Sequence, residues 1–296
     1  MNDFKRGIRS MAQVVEQAMV QYLPQKDGYP SKLHEAMHYS TLSGGKRLRP
    51  IMVMKAAEFF GLHYEKVMPT ACGIEMIHTY SLIHDDLPAM DNDDFRRGKP
   101  TCHKVYGDAL ALLAGDALLT HAFATIAKNS KVDGIFSDAV VDVIEKVSLA
   151  AGGYGMIGGQ TIDIASSGKN IDQDTLFYIS THKTGCLISI SLWSGARLAG
   201  ASKEDLEAIK CFGEKIGLIF QIVDDILDVK GNETILGKPV GSDMKNMKNT
   251  FVRLYGYDNS IKLVSKLSQE AKESISSYKN NGFFIQLTDF IANRSY

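Results

Sequence analysis

From Thr70 to Asp86 the chain reads TACGIEMIHTYSLIHDD, with Ile74, Ile77, Leu82 and Ile83 set among small residues and no strand-like alternation. Apolar positions recurring every three to four residues predict a helix. The pattern returns over 104–128, where Val105, Leu110, Leu113, Leu118, Leu119 and Ile126 stand among alanines. It returns again over 203–229, KEDLEAIKCFGEKIGLIFQIVDDILDV, whose second half is apolar nearly all round. A helix that is apolar on most sides belongs inside a bundle. No run of short Val/Ile/Thr strands and no alternation of strand and helix is present. The 7 prolines leave long stretches unbroken. The pattern predicts an all-α fold, a single large helical bundle of roughly ten or more helices at ordinary helix lengths. No linker rich in Pro, Gly or Ser divides residues 1–296, which read as a single domain without internal repeats. The glycine-rich AGGYGMIGGQTIDIA (151–165) lacks both the GK[ST] ending and the preceding strand of a phosphate loop. Close helix packing is the expected use of its glycines, and Gln160 and Asp163 share a helix face.

Composition narrows the function classes. At 296 residues and 45% apolar content the chain can bury a substantial core. A formal net charge of −1 provides no global field for nucleic acid or an anionic membrane. Cys72, Cys102, Cys186 and Cys211 show no CxxC pair and no metal-ligand spacing, so reduced thiols and a cytoplasmic location are expected. The N-terminal MNDFKRGIRSMAQVVEQ scatters charges where a signal peptide needs a continuous apolar core. No window holds the roughly 18 uninterrupted apolar residues of a membrane span.

The charges themselves are unevenly placed. HDDLPAMDNDDFRRGK (84–99) gathers Asp85, Asp86, Asp91, Asp93 and Asp94, with Arg96, Arg97 and Lys99 directly behind. Asp85 and Asp86 close an apolar helix that Pro88 stops or kinks, and the chain returns Asp91 six positions after Asp85. A second cluster lies in FQIVDDILD (220–228). Asp224 and Asp228 are one turn apart on one face, Gln221 is a turn before Asp224, and Asp225 is adjacent around the helix. On an ordinary surface helix such acids are simply solvated. Here Ile219, Ile222, Val223, Ile226 and Leu227 surround them, and unpaired carboxylates are costly among apolar groups. Within 203–229 the only cations are Lys203, Lys210 and Lys215, and none is at contact spacing on that face. A bound divalent cation is the stronger reading. Hard oxygen donors without a Cys or His set select Mg²⁺ or Mn²⁺ over zinc. An EF-hand is excluded because the sixth position from Asp91 is Arg96 rather than glycine. Mg²⁺ takes one or two carboxylates and completes its shell with water and phosphate oxygens, which makes the missing partner a phosphate compound. Lys46, Arg47 and Arg49 in SGGKRLRP, Arg96 and Arg97, Lys183 in HKTG, and Lys238, Lys245 and Lys248 in GKPVGSDMKNMK are donors suited to it.

At these residues the sequence resembles the short-chain trans-isoprenyl diphosphate synthase family, on its bacterial farnesyl diphosphate synthase side. DDLPAMD (85–91) is similar to the family's first aspartate-rich motif and DDILD (224–228) to its second. GGKRLRP, RRGKPT, GGQTID, HKTG and GKPVGSD stand in the family's order along nearly the whole chain. The resemblance implies an isoprenoid synthase fold around a central cavity, a homodimer, and three Mg²⁺ per active site with Mn²⁺ as a substitute. It implies head-to-tail joining of an allylic diphosphate to isopentenyl diphosphate. By the same resemblance Asp85, Asp91 and Asp224 bind Mg²⁺, and Asp86, Asp225 and Asp228 complete the metal sites or order their waters. Arg96, Lys183, Lys238 and Lys248 contact the allylic diphosphate. Gly45, Lys46, Arg49, His78 and Arg97 hold isopentenyl diphosphate. Oxygens of Lys183, Thr184 and Gln221 face the allylic cation.

Two cues bear on product length. Tyr80 lies five residues before Asp85 and Ser81 four, so a large ring at 80 would close the cavity floor, as in bacterial farnesyl diphosphate synthases. The DNDD spelling at 91–94 is instead that of plant-type geranylgeranyl synthases. Tyr80 carries a steric mechanism and Asn92 does not, so the expected product is C15. A terpene cyclase needs no second diphosphate site, a non-catalytic subunit would have lost aspartates, and a phosphohydrolase needs no large apolar cavity. Asp93 and Asp94 are expected to be solvated or paired with arginine, and the C-terminal DFIANRSY is expected to fold over the site through Arg294.

Overall fold

The structure, a computed structural model, describes residues 2–230 and 249–294. Its described residues are almost entirely helical, as the periodicity predicts. They fall into two compact units, Met1–Ile144 and Glu145–Tyr296, and the division lies within a helix, where no composition change marks it.

The first unit contains α1 (Asn2–Tyr22), α2 (Ser31–Thr41), α3 (Leu48–Phe59), α4 (Met68–Asp85), α5 (Cys102–Tyr106), α6 (Asp108–Ala127) and the start of α7 (Ser137–Ala151). Helix α4 is its centre. Cys72, Ile74, Met76 and Ile77 are wholly buried, and α6, α3 and α1 pack around them. The approach of α6 is close because position 73 is glycine: a Cβ there would lie 2.5 Å from Ile126 Cγ1 and 2.9 Å from the Ala122 carbonyl oxygen. Arg47 is a core residue despite its charge. At φ 49° it enters α3, donates to Glu75 at 2.9 Å and to the Thr41 carbonyl at 2.7 Å, and pairs with Glu16 at 3.2 Å. A buried guanidinium needs this many acceptors to offset its desolvation.

Two details depart from the pattern. The helix expected over 104–128 is broken at Gly107, whose φ of 83° no helix continues through. A short hairpin also forms, pairing Phe95 with Pro100 and Arg96 with Lys99. Arg97 (φ 54°) and Gly98 (φ 74°) make its turn, the two positive-φ residues that tight hairpins require. Helix α6 is long and apolar enough by composition to cross a membrane, although Asp116 interrupts it, and only 39% of its apolar window is buried.

The second unit contains the rest of α7, α8 (Met156–Ser166), α9 (Gln173–Ile179), a π-helical segment (Ser180–Gly185), α10 (Cys186–Leu198), α11 (Lys203–Lys230), α12 (Phe251–Tyr255), α13 (Tyr257–Ser274) and α14 (Gly282–Ala292). Helix α11 is central, burying Phe212, Ile216, Ile219 and Ile222 against α10, α13 and α14. The π-helical segment touches both α8 and α11 through glycines. A Cβ at Gly159 would lie 2.2 Å from the Lys183 amide nitrogen, and one at Gly217 would lie 2.5 Å from Gly185 Cα. Close packing is thus the use of the GGQ glycine, and it seats the wide π-helical turn that carries Lys183 and Thr184.

Candidate active site

The site residues expected from the sequence divide between the two units, and each group has its own geometry. In the first unit α4 ends at Asp85, with Asp86 as its C-cap. The chain turns at Pro88, and the Asp91 amide donates to the Asp85 carbonyl at 2.9 Å. Asp85 and Asp91 are half-buried. Asp86 is not equivalent to them. It is 3% exposed, and Arg96 Nε donates to both of its oxygens at 2.8 Å while Nη2 donates to Oδ1 at 2.5 Å. Asp86, expected to complete a metal site, thus carries a guanidinium on both oxygens, and Arg96, expected at the allylic diphosphate, is drawn onto an acid of the motif. The physical reason is the hairpin, which folds Arg96 back onto the end of α4. Asp93 lies 3.9 Å from Arg96, and Asp94 pairs with Lys104 at 2.7 Å.

Arg97 continues from the same hairpin to the GGKRLRP loop. Its Nη1 donates to the Gly44 carbonyl, and its Cζ would lie 2.7 Å from a Cβ at Gly45, where φ is 125°. Only glycine fits that backbone beside that guanidinium. Lys46 is exposed and Arg49 half-buried, in contrast to core Arg47. His78, on α4, feels this whole group. Burial, followed by Arg49, Arg97, Arg96 and Arg47, holds its pKa well below the usual 6.5. A group of arginines close enough to hold an imidazole neutral is a setting suited to an anion, although Arg47 and Arg96 already have carboxylate partners.

The depressed His78 pKa has a signed consequence. Below 6.5 the unfolded chain takes a proton at this residue and the folded protein does not, so substrate-free stability falls as pH drops through that range. The slope due to one group is at most ~1.4 kcal/mol per pH unit. Urea midpoints of wild type and His78→Gln between pH 7.5 and 5.5 are expected to diverge, with wild type losing more. Parallel pH profiles would remove the arginine field from the account.

Tyr80 is 4% exposed, and its hydroxyl has no hydrogen-bond partner among the described residues. Burial, with Asp85 second, pushes its pKa up to about 12. Its ring meets the His84 ring edge-on at 5.6 Å, and the Ser81 hydroxyl donates to the His78 carbonyl at 2.9 Å.

In the second unit the same division of labour recurs. Asp224 and Asp228 are half-buried, whereas Asp225 is 3% exposed. Asp225 accepts from Gln221 Nε2 at 2.9 Å and from the Phe251 amide at 2.7 Å. Gln221 Oε1 in turn accepts from the Thr184 hydroxyl at 2.9 Å. Asp225, expected to complete a metal site or order its waters, thus has an anchoring part as well, which ties α11 to α12 and fixes the Gln221 amide. Lys183 Nζ lies 2.6 Å from Asp163 Oδ2, a partner that the sequence reading did not name. Asp163, Lys183, Gln221, Asp225 and Thr250 border a recess of about 90 Å³. Arg294, following α14, reaches Asp224 Oδ1 at 2.9 Å. No spacing in the sequence could have paired those two residues. Lys238 and Lys248 lie outside the described residues. A cavity of about 800 Å³ beside Trp193 in the second unit contains none of the expected site residues.

The donor set fits Mg²⁺. Among the described residues no three His, Cys, Asp or Glu side chains gather as a ready-made metal cage. Each motif instead offers solvent-reachable carboxylates, Asp85 and Asp91 in one and Asp224 and Asp228 in the other. Mg²⁺ uses one or two such oxygens and takes the rest of its shell from water and substrate phosphate. All four cysteines are free, and none lies among these acids in the sequence.

Residues 30–280 match the family model described as polyprenyl synthetase. The chain is 45% identical over 285 residues to a geranylgeranyl diphosphate synthase of Cyanophora paradoxa, covering 96% of this chain and 94% of that one. It is 46% identical over 247 residues to a farnesyl diphosphate synthase of Geobacillus stearothermophilus, covering 83% and 82%. The crystal structure of an FPP/GFPP synthase from Zymomonas mobilis superposes with a TM-score of 0.87 at 33% identity, covering 98% of this chain and 99% of that one.

Proposed function

This chain belongs to the polyprenyl synthetase family and is a short-chain prenyltransferase, and from that premise we propose that it condenses isopentenyl diphosphate head to tail with dimethylallyl and then geranyl diphosphate, ending at (2E,6E)-farnesyl diphosphate. The observation that supports the substrate reading is the group of arginines about His78, in a chain that also holds two aspartate motifs. In this reading Arg49, Arg97 and Lys46 hold isopentenyl diphosphate, with neutral His78 as a hydrogen-bonding neighbour and Gly45 giving the backbone room. Asp85, Asp91, Asp224 and Asp228 hold Mg²⁺, which when bound supplies positive charge to the departing allylic diphosphate.

The residues of the chain then divide the remaining work. Lys183, balanced by Asp163 in the substrate-free protein, is a mobile donor for the allylic diphosphate; Lys238 and Lys248 are its proposed companions. The allylic C–O bond breaks and its electron pair leaves with the diphosphate. The oxygens of Thr184 and Gln221, held by the Asp225 network, face the resulting cation. The isopentenyl double bond supplies the electrons of the new C–C bond, and the proton lost from the adjacent carbon passes to the released diphosphate. No protein general base is then required.

The C15 product rests on Tyr80, a buried ring on the helix that ends in the first motif. A geranylgeranyl diphosphate synthase is the second reading, favoured by the name of the relative from Cyanophora paradoxa. Incubation with Mg²⁺, dimethylallyl diphosphate and excess isopentenyl diphosphate, followed by chromatography of the dephosphorylated alcohols, decides between them: mainly C15 alcohol supports the first and mainly C20 the second. We also infer a homodimer, because α6 leaves Leu112 and Leu113 45% and 54% exposed on a strongly apolar helix. Sedimentation equilibrium at the monomer mass of 32.6 kDa would remove that inference.

A further inference from the structure

Arg294 lies just beyond α14, yet its side chain is only 3% exposed. Its Nη2 lies 2.9 Å from Asp224 Oδ1 and donates to the Phe220 carbonyl at 2.9 Å. Its Nε donates to the Ile291 carbonyl at 3.3 Å, and its guanidinium carbon sits 3.8 Å from the centroid of the Phe220 ring. Two backbone carbonyls and an aromatic face thus anchor the guanidinium independently of Asp224. A group anchored in this way is not a loose counter-ion that leaves when a better cation arrives.

Asp224 is the reachable acid of the DDILD pair, with 39% of its side chain exposed. A carboxylate in that position rotates about its last bond unless one oxygen is pinned. Arg294 pins Oδ1 from a fixed point and so sets the plane of the carboxylate. We propose that Arg294 is a positioning residue for the second aspartate motif: it orients Asp224 toward the divalent cation and thereby sets the affinity of that half of the metal site. The inference rests on the metal reading of Asp224.

Two effects of opposite sign meet here. The charge of Arg294 repels a nearby divalent cation, so its loss taken alone would tighten binding. Loss of orientation weakens it, and hydrogen-bond partners of metal-ligating groups are typically worth 10- to 100-fold in metal affinity. The anchoring of the guanidinium makes orientation the larger effect. Lysine cannot reproduce the fork that spans Asp224, the Phe220 carbonyl and the ring face, so it restores only part of the function.

The test is Mn²⁺ binding in the presence of inorganic diphosphate, read from the electron paramagnetic resonance signal of free Mn²⁺. Wild type, Arg294→Ala, Arg294→Lys, Asp224→Asn and the Asp224→Asn/Arg294→Ala double variant are compared, with circular dichroism as the check on folding. Arg294→Ala is expected to weaken Mn²⁺ binding at least about tenfold, with Lys intermediate. In the Asp224→Asn background the same Ala substitution should change nothing further, which a merely structural role would not produce. If Asp224→Asn weakens binding while Arg294→Ala leaves it unchanged or tighter, the positioning role is overturned and the metal reading stands. If Asp224→Asn binds as wild type does, the metal reading itself fails. Should Arg294→Ala not fold, Arg294→Lys decides: a folded variant with undiminished affinity overturns the proposal, and a severalfold loss supports it.

Discussion

Asp224→Ala is expected to lower kcat about 10³-fold at saturating substrates while leaving the thermal midpoint nearly unchanged, whereas Asp225→Ala is expected to lower the thermal midpoint clearly and kcat by less, through the Gln221 and Thr184 oxygens it holds. Asp224 is half-solvated and proposed to help neutralise a departing diphosphate. Removing one element of such charge stabilisation costs roughly 3–4 kcal/mol of transition-state energy, about 10²- to 10³-fold in rate. When the Asp224 carboxylate is lost, its partner Arg294 keeps two backbone carbonyls and the Phe220 ring as anchors. Asp225 is buried and accepts from both Gln221 and the Phe251 amide. Truncating it strands two donors inside the protein, at roughly 1–3 kcal/mol each. The same contrast applies to Asp85, reachable, and Asp86, which is held by Arg96. Steady-state kinetics and thermal melts on the four alanine variants read the two effects separately. Equal stability losses within each pair, or an active Asp224→Ala enzyme, would contradict the assignment.

Tyr80→Ala is expected to move the main product from C15 to C20 or longer, the largest change in specificity any single residue here should cause. The ring is almost fully buried on α4, five residues before Asp85. Replacing it by a methyl group opens volume where the growing chain is proposed to end. The cost in stability is roughly 3–5 kcal/mol, typical of emptying an aromatic site in a core. Tyr80→Phe is the control. The hydroxyl has no hydrogen-bond partner among the described residues, so its removal leaves the ring in place and strands nothing. Phe should keep C15 at equal or better stability. Chain-length analysis of the dephosphorylated products reads both variants. An unchanged C15 product from Tyr80→Ala would sink this account of chain length.

Much of the architecture was legible along the chain. The apolar periodicity of 70–86 and 203–229 became α4 and α11, the central helices of their units. Pro88 does follow directly on the end of α4, and the return of Asp91 to Asp85 is closed by a backbone hydrogen bond. Of the glycines of 151–165, Gly159 does pack closely on another element, the Lys183 backbone, whereas Gly153 meets nothing within 4 Å. The break at Gly107 was not legible, because the apolar positions on either side keep a helical period and only the positive φ interrupts it. Nor was the hairpin at 95–100, whose strands are too short to show alternation.

The finer chemistry divides along the same line. Linear order by itself determined an all-helical chain with paired carboxylates and phosphate-seeking cations, because periodicity and motif spacing are local properties of a chain, and the prenyltransferase reading came from the resemblance of those motifs to a family. Which carboxylate of each pair remains reachable was decided only in three dimensions. Asp85 and Asp86 are chemically identical neighbours, as are Asp224 and Asp225. They part company because burial turns one toward Arg96 and the other toward Gln221 and the Phe251 amide, and an ion taken from water must find fixed partners. The contact between Arg294 and Asp224 is of the same kind. It joins residues 70 positions apart through the docking of α14 on α11: Arg294 was expected over the site, but its partner Asp224 was not legible in the chain.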